Sequence, residues 1–317
     1  MARFMLRRCG QTLLVLLIMS FVIYSLIGLM PGDPLDVMLA SAPGVTPEVV
    51  AHLRAIYGLD QPLLLRYWHW LMAALGGDFG FSRSHAQPAL QVLAPALGET
   101  ARLMLSAFTL SVVLALVLGI AAALRPGRAL DGIISLAAFA GISVPVFWLA
   151  LVLILVFAVE LHWLPASGTT ALGEHGFTAH VRHLLLPVVT LALFYTGQFS
   201  RFVRAAMIET LRMDHVRTAR AKGAPEWRVV LVHALRNAMI PVVTVMALSF
   251  GTLFSGALVT ETMFAIPGMG KTIYDAILGN DYNLALTGLL FATLVTLLSN
   301  LVADLAYGWL DPRIVLT

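Results

Sequence analysis

Six stretches of this chain, at about 9–30, 101–124, 132–159, 184–207, 238–263 and 284–310, are long, apolar and almost free of charge. A helix rises about 1.5 Å per residue, so about 20 such residues cross a hydrocarbon layer of about 30 Å. In lipid every backbone N–H and C=O must be paired internally, which leaves helices or closed barrels. The alternating short strands of a barrel are not seen in the sequence. Composition agrees, with 59% hydrophobic and 12% charged residues and a mean hydropathy of +0.88, outside the range of soluble domains. The reading is an all-α integral membrane protein with six transmembrane helices.

Lys and Arg set the orientation. With the N-terminus in the cytoplasm, fourteen of the twenty fall inside: Arg3, Arg7, Arg8, Arg125, Arg128, Arg313 and eight between Arg201 and Arg236. Six fall outside: Arg54, Arg66, Arg83, Arg102, Arg182 and Lys271. Both termini are therefore expected in the cytoplasm. Basic residues before an apolar run, and Ala40-Ser41-Ala42 after it, imitate a signal peptide. The run is too long and the site too distant, so an uncleaved helix is expected. Cys9 is alone and can form no intrachain disulfide. The pI near 9.2 follows from topology; basic residues set against apolar spans do not suggest nucleic acid.

This topology divides the chain into residues 1–30 with the first span, an outer cap at 31–98, a core at 99–310 and a cytoplasmic tail at 311–317. Smaller outer loops fall at about 161–183 and 264–283. In the cap, Pro47-Glu48-Val49-Val50 reads as a helix start. Tyr67, Trp68 and Trp70 suit the headgroup level. The cap reads equally as an interfacial anchor or as a docking surface for an extracytoplasmic protein.

The segment between the fourth and fifth spans, 208–237, is basic. A helix through Val216 to Lys222 meets Gly223, which best ends a helix in a left-handed conformation, and Pro225 suits the start of another. In the second helix Trp227, Val230, Leu231, Ala234 and Leu235 recur at helical spacing, which predicts one greasy face. Ala219, Ala221 and Gly223 would let a backbone or groove approach closely. An amphipathic interfacial helix is the plainer reading, although it needs no such corner.

The run Arg217-Thr218-Ala219-Arg220-Ala221-Lys222-Gly223, followed by His233-Ala234-Leu235-Arg236-Asn237-Ala238-Met239-Ile240-Pro241, resembles the cytoplasmic coupling loop of ABC-importer permeases of the dipeptide/oligopeptide/nickel type. Similar signatures run along the chain in the family's order. They are Pro31-Gly32-Asp33-Pro34, Tyr57-Gly58-Leu59-Asp60-Gln61-Pro62, Gly77-Asp78-Phe79-Gly80-Phe81-Ser82, Ser143-Val144-Pro145-Val146-Phe147-Trp148, Trp163-Leu164-Pro165-Ala166-Ser167-Gly168 and Phe264-Ala265-Ile266-Pro267-Gly268-Met269-Gly270. One departure is Thr218-Ala219-Arg220 where the general importer motif begins Glu-Ala-Ala, a spelling usual in the peptide branch. The resemblance implies a type I importer transmembrane domain in the cytoplasmic (inner) membrane, the first of two paired permeases. It implies small-peptide import by alternating access, with a second permease subunit, two ATPase subunits, an external substrate-binding protein and membrane lipid as partners. ATP and Mg would bind the ATPases, with no cofactor on this chain. The coupling residues would be Asp214, Arg217, Ala219, Arg220, Ala221, Lys222, Gly223 and Glu226.

Other readings stay open. Within the family the alternative is nickel or metallophore import; outside it, an ion-coupled secondary transporter, or a receptor or scaffold. Ion coupling usually needs ionisable groups or broken helices near the membrane middle. In this sequence Glu160, Arg201, Arg204, Glu261 and Asp304 fall near helix ends, where charge reaches water or headgroups. Among interior polar residues, Ser143, Tyr195, Gln198, Ser255 and Asn300 are candidates for the translocation path. His175, His180 and His183 have ligand chemistry suited to nickel or zinc, but no closed ligand set is visible. Gly270-Lys271-Thr272 imitates the end of a phosphate-binding loop, yet Ala265 stands where its first glycine belongs, and the segment reads as a turn over the fifth span. No nucleophile, base and orienting-acid pattern suggests catalysis, so the chain is not expected to be an enzyme.

Overall fold

The structure, a computed structural model, describes residues 2–29, 60–170 and 176–310. The proposed helix start at Pro47 and most of the Pro-rich part of the cap lie outside these residues. Helix α1 (Ala2–Gly28) is the first span. Helix α2 (Leu63–Leu75) lies along its C-terminal half, where the Ser20 and Tyr67 hydroxyls meet at 2.7 Å. Tyr67 stacks edge-on against Phe21 and Tyr24, and Trp70 tilts against Tyr24. Of the three cap aromatics expected at the headgroups, only Trp68 points outward, 54% exposed. The other two hold α2 to α1, since burying their rings contributes more than leaving them wet.

A two-residue antiparallel ladder, β1 (Phe81–Ser82) with β2 (Gln87–Pro88), leads directly into α3 (Ala89–Leu124). At 36 residues α3 is about 54 Å long, well beyond the hydrocarbon thickness. The boundary expected at residue 98 therefore falls inside a helix. Glu99, Thr100 and Arg102 mark a polar stretch of one continuous element rather than a border.

The third apolar segment is not one straight helix. Helix α4 (Ala129–Ser143) and α5 (Val146–Leu153), which continues as a π-helical stretch Ile154–Glu160, meet at 103°. Pro145 offers no N–H, and the residue before a proline is driven out of the helical region; Val144 is extended at φ −84, ψ 125. Hydropathy averaged over the segment hides this single-residue stop.

Helix α6 (Phe177–Leu211), the short α7 (Asp214–Ala221), α8 (Leu235–Met263), α9 (Met269–Leu278) and α10 (Tyr282–Leu310) complete the chain. Five described helices are long and apolar enough to cross a membrane, and six spans result if the bent pair counts as one. The core forms where α6 packs on α3, α4 and α8, with α10 against α8 and α1. Close approach of α4 to α6 depends on Gly197, where a Cβ would lie 2.6 Å from the Ala138 carbonyl oxygen. Small residues allow this backbone contact where solvent exclusion supplies little force. Leu191, Phe199, Met207 and Leu253 are fully buried, whereas Ile133, Leu136 and Phe139 on α4 are exposed, as expected of a surface facing lipid or another apolar chain.

Candidate functional site: the basic corner

Helix α6 ends at Leu211, and after two intervening residues α7 begins with Asp214 in its first turn and Arg220 in its last. Those charges oppose the helix dipole at both ends. Val216 and Ala219, three apart, turn inward and are buried, so that α7 packs on the π-helical stretch Val229–Ala234. Asn237 Nδ2 donates to His215 Nε2 at 3.0 Å and to the His233 carbonyl, tying α7 to the base of α8.

The corner itself is closed by two backbone bonds. Ala224 N–H donates to the Ala219 carbonyl at 3.2 Å and Gly223 N–H to the Arg220 carbonyl at 2.9 Å, the pairing that ends a helix through one left-handed residue. Gly223 supplies it at φ +81. Arg220 Nη2 and Nε then donate to the two Glu226 carboxylate oxygens at 2.6 and 3.2 Å, bracing the far side. Such a two-pronged pair fixes direction as well as distance.

What the corner presents outward is cationic. The Asp214 and Arg217 side chains are 97% and 74% exposed, and Ala221, Lys222 and Gly223 are exposed beside them. Ala219 departs from the expectation, because the inward packing that seats α7 leaves it 8% exposed. The greasy face expected of the second helix is also redrawn. Val229, Val230 and Ala234 are buried, while Trp227 and Leu231 are 64% and 50% exposed. Over Val229–Ala234 the helix is wound with i→i+5 bonds, which shifts the phase of the side chains relative to a 3.6-residue wheel. The result is an exposed apolar rim next to the charged corner. No nucleophile or proton-transfer pair is assembled here; a rigid, braced projection can bind and be pushed.

The other candidates are not brought together. Tyr195 is 4% exposed within the core. Gln198 is half-buried, and Ser143 and Asn300 are exposed at separate places; the Ser255 side chain lies outside the described set. A shallow groove on α3 lined by Leu105, Ser106, Thr109, Leu110 and Val113 was not anticipated. His175 lies outside the described residues. His180 Nε2 sits 3.5 Å from Glu99 Oε2, and His183, buried, holds the Ser167 carbonyl at 3.0 Å. Among the described residues no three metal-ligating side chains converge.

Of the charges expected near wet helix ends, one is enclosed and one is paired. Glu261 is fully buried, because the turn after Met263 folds back over it. Arg204 Nε and Nη2 donate to the Asp131 carboxylate at 2.5 and 2.7 Å, joining α6 to the first turn of α4. Gly127 N–H also donates to Asp131 at 2.8 Å. Nothing local in the sequence pairs residues 131 and 204.

The chain is 38% identical over 314 residues, 99% of both chains, to a probable peptide ABC transporter permease of Sinorhizobium fredii. It is 38% identical to the di/tripeptide transport system permease DppB of Pseudomonas aeruginosa and 35% to the dipeptide permease DppB of Escherichia coli, again over 99% of each chain. Among solved structures, the inward-facing MetNI methionine ABC transporter superimposes with a TM-score of 0.58 at 18% identity, covering 70% of this chain and 97% of that one. An amino acid ABC transporter superimposes at 0.52 and 11% identity, covering 71% and 94%. The fold is that of a type I importer transmembrane domain. Residues 1–114 match the N-terminal region described for binding-protein-dependent transport system membrane components, and residues 115–316 match the inner membrane component itself, so that the chain belongs to the family of binding-protein-dependent ABC transporter permeases.

Proposed function

We propose that the chain is one of two paired permeases of an ATP-driven importer that passes small peptides by alternating access, with hydrolysis on separate ATPase subunits. The observation that carries the mechanism is the braced corner: a cationic projection, locked at Gly223 and by Arg220–Glu226, stands at the base of a helix that continues to the opposite end of the molecule. Peptide as the substrate class is supported by the names of relatives similar over 99% of the length. The corner docks into an ATPase groove through Asp214, Arg217, Ala221, Lys222 and Gly223, while Ala219 seats it from behind. Both termini lie in the cytoplasm, with the bent α4–α5 pair as one crossing. The passage forms between the two permeases, the α3 groove with Ser106 and Thr109 contributing one wall. An external binding protein delivers the solute to the outer surface.

Reconstitution with the second permease, both ATPases and the cognate binding protein tests this. ATP-dependent accumulation of labelled di- and tripeptides is expected, at rates that the loaded binding protein raises. Accumulation of a nickel complex without peptide would replace the substrate class, and uptake driven by an ion gradient without ATP would overturn the mechanism.

A further inference from the structure

The outer end of α8 carries a carboxylate that nothing above uses. Glu261 Oε1 accepts the Thr100 hydroxyl of α3 at 2.5 Å, and Oε2 accepts the Lys271 N–H at 3.0 Å. Thr100 Oγ1 in turn accepts the Met269 N–H at 2.7 Å. One side chain thus closes three elements: α3, α8 and the first turn of α9.

The N–H groups that open a helix have no partner within it and favour negative charge. Here the carboxylate comes from a different helix. Its seat is reserved, since a Cβ on Gly268 would lie 2.2 Å from Glu261 Cδ, and one on Gly270 2.7 Å from Leu258 Cα. A buried carboxylate is costly unless hydrogen-bonded. Among the described bonds its partners are N–H and O–H donors, while the Lys271 ammonium pairs with Asp275 instead.

Beyond α9 the chain is fastened again. Asp281 Oδ2 accepts the Ser82 and Ser84 hydroxyls at 2.7 and 2.6 Å and the Ser84 N–H at 2.9 Å, and Arg83 donates to the Gly279 carbonyl at 2.6 Å. The hairpin, α9 and the end of α8 are therefore one connected body. The other end of α8 meets the π-helical stretch and the basic corner. A packed helix held at both ends moves its two ends together, which is the physical kind of path along which coupling travels.

We propose that Glu261, acting through Thr100 and the N-terminus of α9, is a positioning residue that fastens the outer surface to the fifth span, so that arrival of the loaded binding protein is transmitted along α8 to the corner. This rests on the importer reading above. The test is the fully assembled transporter in lipid, with hydrolysis measured with and without loaded binding protein. Glu261→Gln and Thr100→Val should each assemble and retain basal hydrolysis, while stimulation by the binding protein falls about fivefold or more, the lower end of coupling between distant sites. The double variant should fall little further, because both act through one bond. Unchanged stimulation in both single variants overturns the proposal and leaves the importer reading standing. Parallel loss of assembly, basal and stimulated rates makes the cluster a folding contact and also overturns it. A wild-type assembly that shows no stimulation overturns the importer reading, and the proposal with it.

Discussion

Gly223 does its work through backbone alone. A Cβ there would meet nothing within 4 Å, yet φ is +81, a conformation that costs a branched residue about 1–2 kcal/mol. Gly223→Val should therefore loosen the corner by that amount. Asn and Asp tolerate the left-handed region far better, so a loss on Gly223→Asp reports the docking surface rather than strain. Uptake is expected to vanish in Gly223→Asp and to persist in part in the uncharged Gly223→Asn, with membrane insertion normal in both; transport assays on quantified membrane fractions decide it. The Asp131–Arg204 pair behaves differently, because removing Arg204 leaves the Asp131 carboxylate, 6% exposed, without its cation. Arg204→Ala should melt at lower temperature than the double variant. Arg204→Lys should recover only part, a single ammonium being unable to reproduce the two-pronged bond. Thermal unfolding in one detergent checks the order.

Among the elements, the hairpin is fastened by the Asp281 carboxylate together with bonds from Arg83 to the Gly279 carbonyl and from Asn283 to the Phe81 carbonyl. Burial acts to raise the Asp281 pKa, but the hydrogen bonds from Ser84, Ser82 and the backbone together outweigh it and hold the group below the usual carboxylate range. A depressed folded value contributes stability that is present above the unfolded value of about 3.9 and is lost as pH falls through the folded one. Hairpin docking should be independent of pH near neutrality and loosen in acid. Hydrogen exchange over residues 81–88 should rise only below about pH 4, and Asp281→Asn should raise it at every pH. The bent third span shows how an element departs from its hydropathy. Its break also supplies one of the two features whose absence spoke against ion coupling, so it is the relation to ABC permeases, not that absence, that identifies the family.

At the scale of the whole molecule, the proposed role is transmission, with hydrolysis on separate subunits. The Lys271 N–H group that a phosphate loop would offer is already bonded to Glu261. The isolated chain should bind no ATP, and Lys271→Ala should leave hydrolysis by the assembly unchanged; nucleotide binding by the purified chain would contradict both. The passage assigned to the α3 groove makes a separate claim. Single cysteines at Ser106 and Thr109, with Cys9 replaced, should react with small aqueous thiol reagents in the assembly and be protected when transport is arrested. Cysteine at Tyr195, which is 4% exposed, should stay inert.

The long apolar segments, the left-handed turn at Gly223, the turn over the fifth span and the family signatures were legible in the sequence. Each is set by interactions between near neighbours: helical rise against bilayer thickness, φ preference, ring closure at proline. Even the stop at Pro145 was written locally and was obscured only by averaging. What tertiary structure alone decided are the long-range pairs, Asp131 with Arg204, Glu261 with Thr100, Ser82 with Asp281, and the side of α7 on which Ala219 falls. Partners separated by 73, 161 and 199 residues leave no periodic trace. Whether a polar side chain near a helix end meets water or a partner depends on which other element folds over it.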